Sequence, residues 1–136
     1  NKINVISHIG VTPQKFSDFT KIKIIKENKI IKNKLLTLAK ELENAGSKMI
    51  VLECISSNLS KNITKNLSIP TIGIGSSKNC DGQVLVIDDI LNYDSKNKKP
   101  KFVKSYTNLE KIINKAVITF SKEVIKKKFP SKKFSY

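Results

Sequence analysis

The 136-residue chain contains no arginine: all 26 of its basic residues are lysine. Set against 11 acidic residues, they give a formal net charge of +15, which ordinarily points to a phosphate-rich partner or an anionic membrane. The missing guanidinium argues otherwise, because surfaces that read phosphates and bases use a bidentate fork that lysine does not have. No aromatic stacking platform or recognition motif accompanies the lysines, so their abundance, alongside that of Asn and Ile, reads as compositional drift over a solvated surface. No nucleic-acid partner is expected. Cysteine is scarce as well. Cys54 and Cys80 stand far apart with no CxxC and no histidine at ligand spacing, which excludes a zinc site and a disulfide framework and fits a reducing cytoplasm. Long hydrophobic runs are missing too: stretches such as Met49 to Leu52 fall far short of the roughly 20 residues that cross a bilayer. No signal peptide and no membrane partner are expected. The chain also opens without methionine, at Asn1, and passes almost directly into the apolar run Ile3–Ile6, which raises the expectation of a truncated chain.

What is present is a set of short apolar runs, Ile3–Ile6, Met49–Leu52, Thr71–Ile74 and Val84–Ile87. Each is rich in Val and Ile, does not alternate with polar residues, and is followed by a polar or glycine-containing turn. Strands buried on both faces of a parallel sheet have this pattern. Between the first two runs, Ile31, Leu35, Leu38, Ala39 and Leu42 recur at helical spacing within about residues 30–45, and Gly46 stands where a helix C-terminus favours glycine. Between the second and third, Leu59, Ile63 and Leu67 share one face of a predicted helix over 58–67, with Ser57 or Asn58 as its N-cap. The order strand, helix, strand, helix, strand predicts an α/β protein, built as an open doubly wound sheet or a closed barrel. The link from Ile74 to Val84 has no helical pattern, which is short for a parallel crossover. Asp94 to Lys101 reads as a polar loop. A helix over about 109–126 follows, with Ile112, Ile113, Ala116, Val117, Phe120 and Val124 on one side, and then an aromatic tail, Phe129 to Tyr136, that is expected to pack.

In barrels the working residues stand at the C-terminal ends of strands. Those positions hold Ser7-His8, Glu53-Cys54, Gly75-Ser76 and Asp88-Asp89. Glu53 directly follows Met-Ile-Val-Leu, so a carboxylate sits where its neighbours are apolar. Desolvation there would suit a general base, while a carboxylate paired with lysine at a strand end is the structural alternative. His8, the only histidine, is either a hydrogen-bonding structural residue or a catalyst. Gly73-Ile-Gly-Ser-Ser77 has small residues that admit a ligand to backbone N–H groups, but Lys78 breaks any GxGxxG pattern. Asp81-Gly82 reads as a tight turn. Asp88-Asp89 could ligate a hard cation or belong to a helix start.

Taken in order, five stretches carry a more specific signal: His8-Ile-Gly-Val-Thr-Pro-Gln14; Glu43-Asn-Ala-Gly46 running into Val51-Leu-Glu-Cys54; Ile69-Pro-Thr-Ile-Gly-Ile-Gly75; Cys80-Asp-Gly-Gln-Val-Leu-Val86; and Pro100-Lys-Phe-Val-Lys104 with Phe129-Pro130. In this order and spacing they resemble ketopantoate hydroxymethyltransferase from end to end. The resemblance implies a (βα)8 TIM barrel, of which this chain would cover strands five to eight. Residues 1–136 would be the C-terminal half of one barrel domain, with βα units over 1–93 and a C-terminal loop, helix and tail over 94–136. It implies transfer of a hydroxymethyl group from 5,10-methylenetetrahydrofolate to 3-methyl-2-oxobutanoate, giving 2-dehydropantoate for pantothenate synthesis. It also implies a magnesium ion (Mg2+) whose ligands lie in the other half, a homo-oligomer that is a decamer in many members, and a cytoplasmic location. Glu53 falls on the family's proton acceptor and His8 on an active-site histidine near the substrate. The principal substrate-binding residues are expected upstream.

The chain departs from the family pattern at Ser76-Ser77, where Ala-Gly is usual, at Asp88, often histidine, and at Phe134, where a C-terminal histidine is usual. A half barrel exposes sheet edges and apolar faces, so this chain alone is expected to be inactive. The alternative from another class is a non-catalytic remnant kept as a binding or assembly partner.

Overall fold

The computed structural model describes residues 3–13, 22–94, 96 and 98–136. The chain divides into two compact units, Asn1–Leu85 with Lys99–Val103, and Val86–Lys98 with Lys104–Tyr136.

In the first unit four strands lie side by side in chain order, every neighbouring pair parallel: β1 (Ile6–Gly10), β2 (Met49–Glu53), β3 (Thr71–Ile74) and β4 (Gly82–Gln83). Helix α1 (Lys29–Asn44) joins β1 to β2 and α2 (Ser57–Asn66) joins β2 to β3. The expected α/β class with a parallel sheet is therefore what forms. Side chains alternate across a strand, and here the two faces differ. Ile9, Ile50 and Leu52 point to one face, where they are at most 2% exposed and form a single core with Ala39 of α1 and with Leu59 and Ile63 of α2. Burial of each such side chain stabilises the unit by about 1.5–3 kcal/mol. Ile6, His8, Val51, Glu53, Ile72 and Ile74 point to the other face, where none is fully buried.

Three boundaries differ from expectation. The first strand is Ile6–Gly10 rather than Ile3–Ile6, because the ladder begins where Ile6 meets Met49; Ile3 and Val5 stand largely exposed ahead of it. His8 therefore lies within the strand, not after it. The fourth strand is Gly82–Gln83 rather than Val84–Ile87: Val84 N–H still donates to Gly73 O (3.0 Å), but β3 ends at Ile74 and leaves the later residues without a paired neighbour. The N-cap of α2 is Ser56, because Ser57 and Asn58 are already helical and their side chains bond elsewhere, to Ser77 Oγ and to Glu27. As expected, residues 75–81 carry the chain from β3 to the parallel β4 with no helix.

Both long helices end in the same hydrogen-bonding motif. At the end of α1, Gly46 N–H donates to Glu43 O and Ser47 N–H to Leu42 O, with Gly46 at φ +98°. In the second unit α3 (Ile87–Leu91) begins on the last residue of the run Val84–Ile87, and α4 (Leu109–Ile125) starts on Asn108, whose side chain accepts from Lys111 N–H. At the end of α4, Lys127 N–H donates to Val124 O and Lys128 N–H to Glu123 O, with Lys127 at φ +52°. The aromatic tail packs in part: the Phe129 ring lies 5.4 Å edge-on from Phe120 and 6.1 Å from Phe134, while Tyr136 is fully exposed. No residue of α4 is buried.

Candidate active site

His8 and Glu53 come together. In the register of the first ladder, Gly10 lies opposite Glu53 and His8 opposite Val51, which places His8 one step back on the same face. The two side chains meet with His8 Nε2 3.0 Å from Glu53 Oε2. The Glu53 side chain retains 14% of its exposure and that of His8 38%, so both remain partly exposed on the face opposite α1 and α2. The imidazole is one partner of the carboxylate; the lysine pairing considered as a structural alternative is not seen for Glu53 among the described residues.

The backbone carrying Glu53 is held from both neighbouring strands. Glu53 O accepts from Val11 N–H (3.1 Å) on one side, and Ile74 O accepts from Cys54 N–H (2.9 Å) on the other. Gly10 sits so close that a Cβ built on it would lie 2.0 Å from Glu53 O, and its φ of +130° is one that only glycine adopts readily. Residues after Glu53 turn sharply: Cys54 takes φ +52°, and Ile25 N–H donates to Cys54 O (2.7 Å). Burial, and then the charge of Glu53, push the Cys54 thiol up, the opposite of what activates a thiolate.

The departures at Ser76 and Ser77 are absorbed in hydrogen bonds. Ser76 Oγ donates to Leu52 O (2.9 Å) and accepts from Ile55 N–H (3.1 Å). Ser77, 1% exposed, bonds Ser57 Oγ and accepts from both the backbone and the side-chain N–H of Asn79. Asp88 and Asp89 occupy the first turn of α3, where the helix dipole favours negative charge, rather than a strand end. Among the described residues no group of three His, Cys, Asp or Glu side chains could hold a metal ion. One carboxylate and one imidazole do not suit magnesium, which takes near-octahedral oxygen ligands.

Residues 1–132 match the model of the ketopantoate hydroxymethyltransferase family. The chain belongs to that family. It is 53% identical to a 3-methyl-2-oxobutanoate hydroxymethyltransferase of Pelagibacter ubique, over 100% of this chain and 51% of that protein. Proteins of the same name from Clostridium botulinum and Francisella tularensis are 47% and 44% identical over 99% and 98% of the chain and 49% and 50% of their own lengths. The chain thus spans about half the length of the curated relatives it matches.

The stretches that carry the resemblance to ketopantoate hydroxymethyltransferase have structural work to do. Glu43 Oε1 accepts from Ser68 N–H (2.6 Å) and Ile69 N–H (3.2 Å), tying the end of α1 to the approach to β3. The Lys40 ammonium (2.7 Å) and these N–H groups hold its carboxyl below the ordinary range. Asp81 Oδ2 accepts from Thr71 N–H (2.8 Å) and Thr71 Oγ1 (3.0 Å), locking the start of β3 to the start of β4. That is more than the tight turn expected there. A Cβ on Gly73 would meet the Gln83 amide and Cys80 Sγ, and one on Gly75 would lie 2.7 Å from the Phe102 ring. Gln14 lies outside the described residues. Sequence reasoning missed Gly10, because the first strand was expected at Ile3–Ile6; only with β1 at Ile6–Gly10 does the glycine fall in a strand, where it marks close backbone approach.

Proposed function

We propose that this chain is the half of a ketopantoate hydroxymethyltransferase that carries the proton acceptor. In this reading Glu53 removes the proton from the carbon beside the ketone of 3-methyl-2-oxobutanoate. The electron pair of that C–H bond then forms the new C–C bond to the one-carbon unit of 5,10-methylenetetrahydrofolate, water supplies the hydroxyl, and 2-dehydropantoate and tetrahydrofolate leave. The observation that carries it is the 3.0 Å contact between His8 Nε2 and Glu53 Oε2 on the face opposite α1 and α2. A base needs a defined direction, and an Nε2–H donated to one carboxylate oxygen leaves the other free to take the proton. In this reading the ligands of the expected cation, which would hold the 2-oxo acid, are supplied by the other half of the enzyme.

Support for the (βα)8 barrel, with this chain as strands five to eight, comes from the four-stranded parallel order, the packing of α1 and α2 on the same face of the sheet, and a length about half that of the relatives. In a closed barrel the face with Ile6, Val51, Ile72 and Ile74, opposite α1 and α2, is the interior, filled from the opposite strands. The whole residue range 1–136 then belongs to one barrel domain. Among the described residues no helix is long and apolar enough to cross a membrane. We assign the enzyme to the cytoplasm, as a homo-oligomer acting on small molecules and not on nucleic acid.

The test is transferase activity of the full-length polypeptide, this chain joined to the other half, with 3-methyl-2-oxobutanoate, methylenetetrahydrofolate and magnesium. Glu53→Gln should lower kcat by roughly 100-fold or more, and 2-dehydropantoate formation at the parent rate by a folded variant would sink the assignment. His8→Ala should cost less, because it removes the partner and not the base.

A further inference from the structure

We infer that Ser76 is a positioning residue for Glu53. This rests on the proposed role of Glu53. Ser76 follows β3, yet its hydroxyl spans the residues on either side of the Glu53–Cys54 peptide: it donates to Leu52 O at 2.9 Å and accepts from Ile55 N–H at 3.1 Å. Between those two backbone groups the chain passes through Cys54, which is in the left-handed region at φ +52°, a costly conformation for a residue with a Cβ. One hydroxyl acting in both directions satisfies them and holds that turn closed. Ile55 is fully buried, so without Ser76 its N–H would have to find another partner away from solvent.

Ser76 is itself held. Gly75 before it is at φ +59° with the Phe102 ring against its α-carbon, and Ser77 after it is fixed through Ser57 and Asn79. The clamp is therefore rigid at both ends, and what it controls is the direction in which Glu53 leaves the sheet towards His8. Small displacements of a catalytic group are costly: about 1 Å can lower the rate by roughly 100-fold. The hydrogen bonds of the Ser76 hydroxyl go to backbone groups and not to His8 or the Glu53 carboxylate, so its effect runs through the backbone.

The experiment uses the full-length polypeptide with Ser76→Ala, Ser76→Thr and, as a control, Thr71→Val. The control removes a buried hydroxyl at the opposite end of β3, where it bonds Thr64 and Asp81 (2.8 and 3.0 Å). Ser76→Ala should speed hydrogen exchange at the Ile55 amide and lower kcat roughly 10-fold or more, with KM for the oxo acid unchanged and with recovery in Ser76→Thr. Thr71→Val should lower the melting temperature and leave kcat alone. Unchanged exchange at Ile55 would remove the clamp. Faster exchange with parental kcat, or a KM effect alone, would reduce Ser76 to a structural residue. An inactive parent would overturn the reading of Glu53, and the role of Ser76 with it, and is distinguished from the other failures by the parent alone.

Discussion

The two units of this chain use apolar residues in opposite ways. In the first, the apolar periodicity of α1 and α2 meets Ile9, Ile50 and Leu52, and the result is a core in which several side chains have no exposure at all. In the second, α4 has an equally regular apolar side, yet Ile112, Val117 and Phe120 each remain more than half exposed. The same contrast recurs at the helix ends. One hydrogen-bonding motif closes both α1 and α4, but α1 supplies Gly46 at the left-handed position and α4 supplies Lys127. Periodicity thus identifies which residues want burial, while burial itself depends on what stands opposite.

Substitutions in the full-length polypeptide can break or sharpen this contrast. The largest effect is expected from Leu52→Ala, which should lower stability in thermal or denaturant unfolding by about 2–5 kcal/mol. Val117→Ala should change it by less than about 1 kcal/mol if that position stays exposed, and equal losses at the two sites would show that α4 is buried in the complete protein. Gly10→Ala comes next: its Cβ would overlap Glu53 O, so a loss of roughly 1–3 kcal/mol is expected, together with reduced turnover because the displaced peptide carries Glu53. Parental activity in that variant would contradict the close approach. At the helix ends, Gly46→Ala should cost about 1 kcal/mol through its φ alone, since nothing crowds the site, and Lys127→Gly should gain up to about 1 kcal/mol. Effects of the same sign would break the comparison.

The smallest effect concerns acid. Glu43 has its carboxyl held below the ordinary range, so its contribution to stability is present above the unfolded-state value and disappears as pH falls through the folded one. Glu43→Gln should therefore melt below the parent near neutral pH, and the two curves should converge as the pH drops past the ordinary carboxylate range. A gap that persisted in acid would show that charge is not what Glu43 contributes. Solvent screening keeps the effect modest.

Much of the fold can be read from the residues. Met49–Leu52 and Thr71–Ile74 are legible as strands because a buried parallel strand is a short unbroken run of Val and Ile, and the span of α1 follows from its periodic leucines and Gly46. Ile3–Ile6 and Val84–Ile87 mislead because they have the same composition, and composition does not say where a neighbouring strand begins or ends. For the site, Glu53 and His8 stand out as polar residues beside apolar runs. Their contact is not legible, since it depends on β1 pairing with β2 in the one register that sets Gly10 against Glu53.

The order of residues was enough to establish an α/β chain with a parallel sheet, the family to which it belongs, and a carboxylate at a strand end, because each of these is written in local pattern and motif. The fold had to supply the rest: the meeting of His8 with Glu53, the need for glycine at position 10, and the hydroxyl of Ser76 closed over Leu52 and Ile55. Those pairs are tens of residues apart in the chain, and nothing local specifies them. They arise when side-chain alternation, ladder register and the burial of one sheet face are all satisfied together.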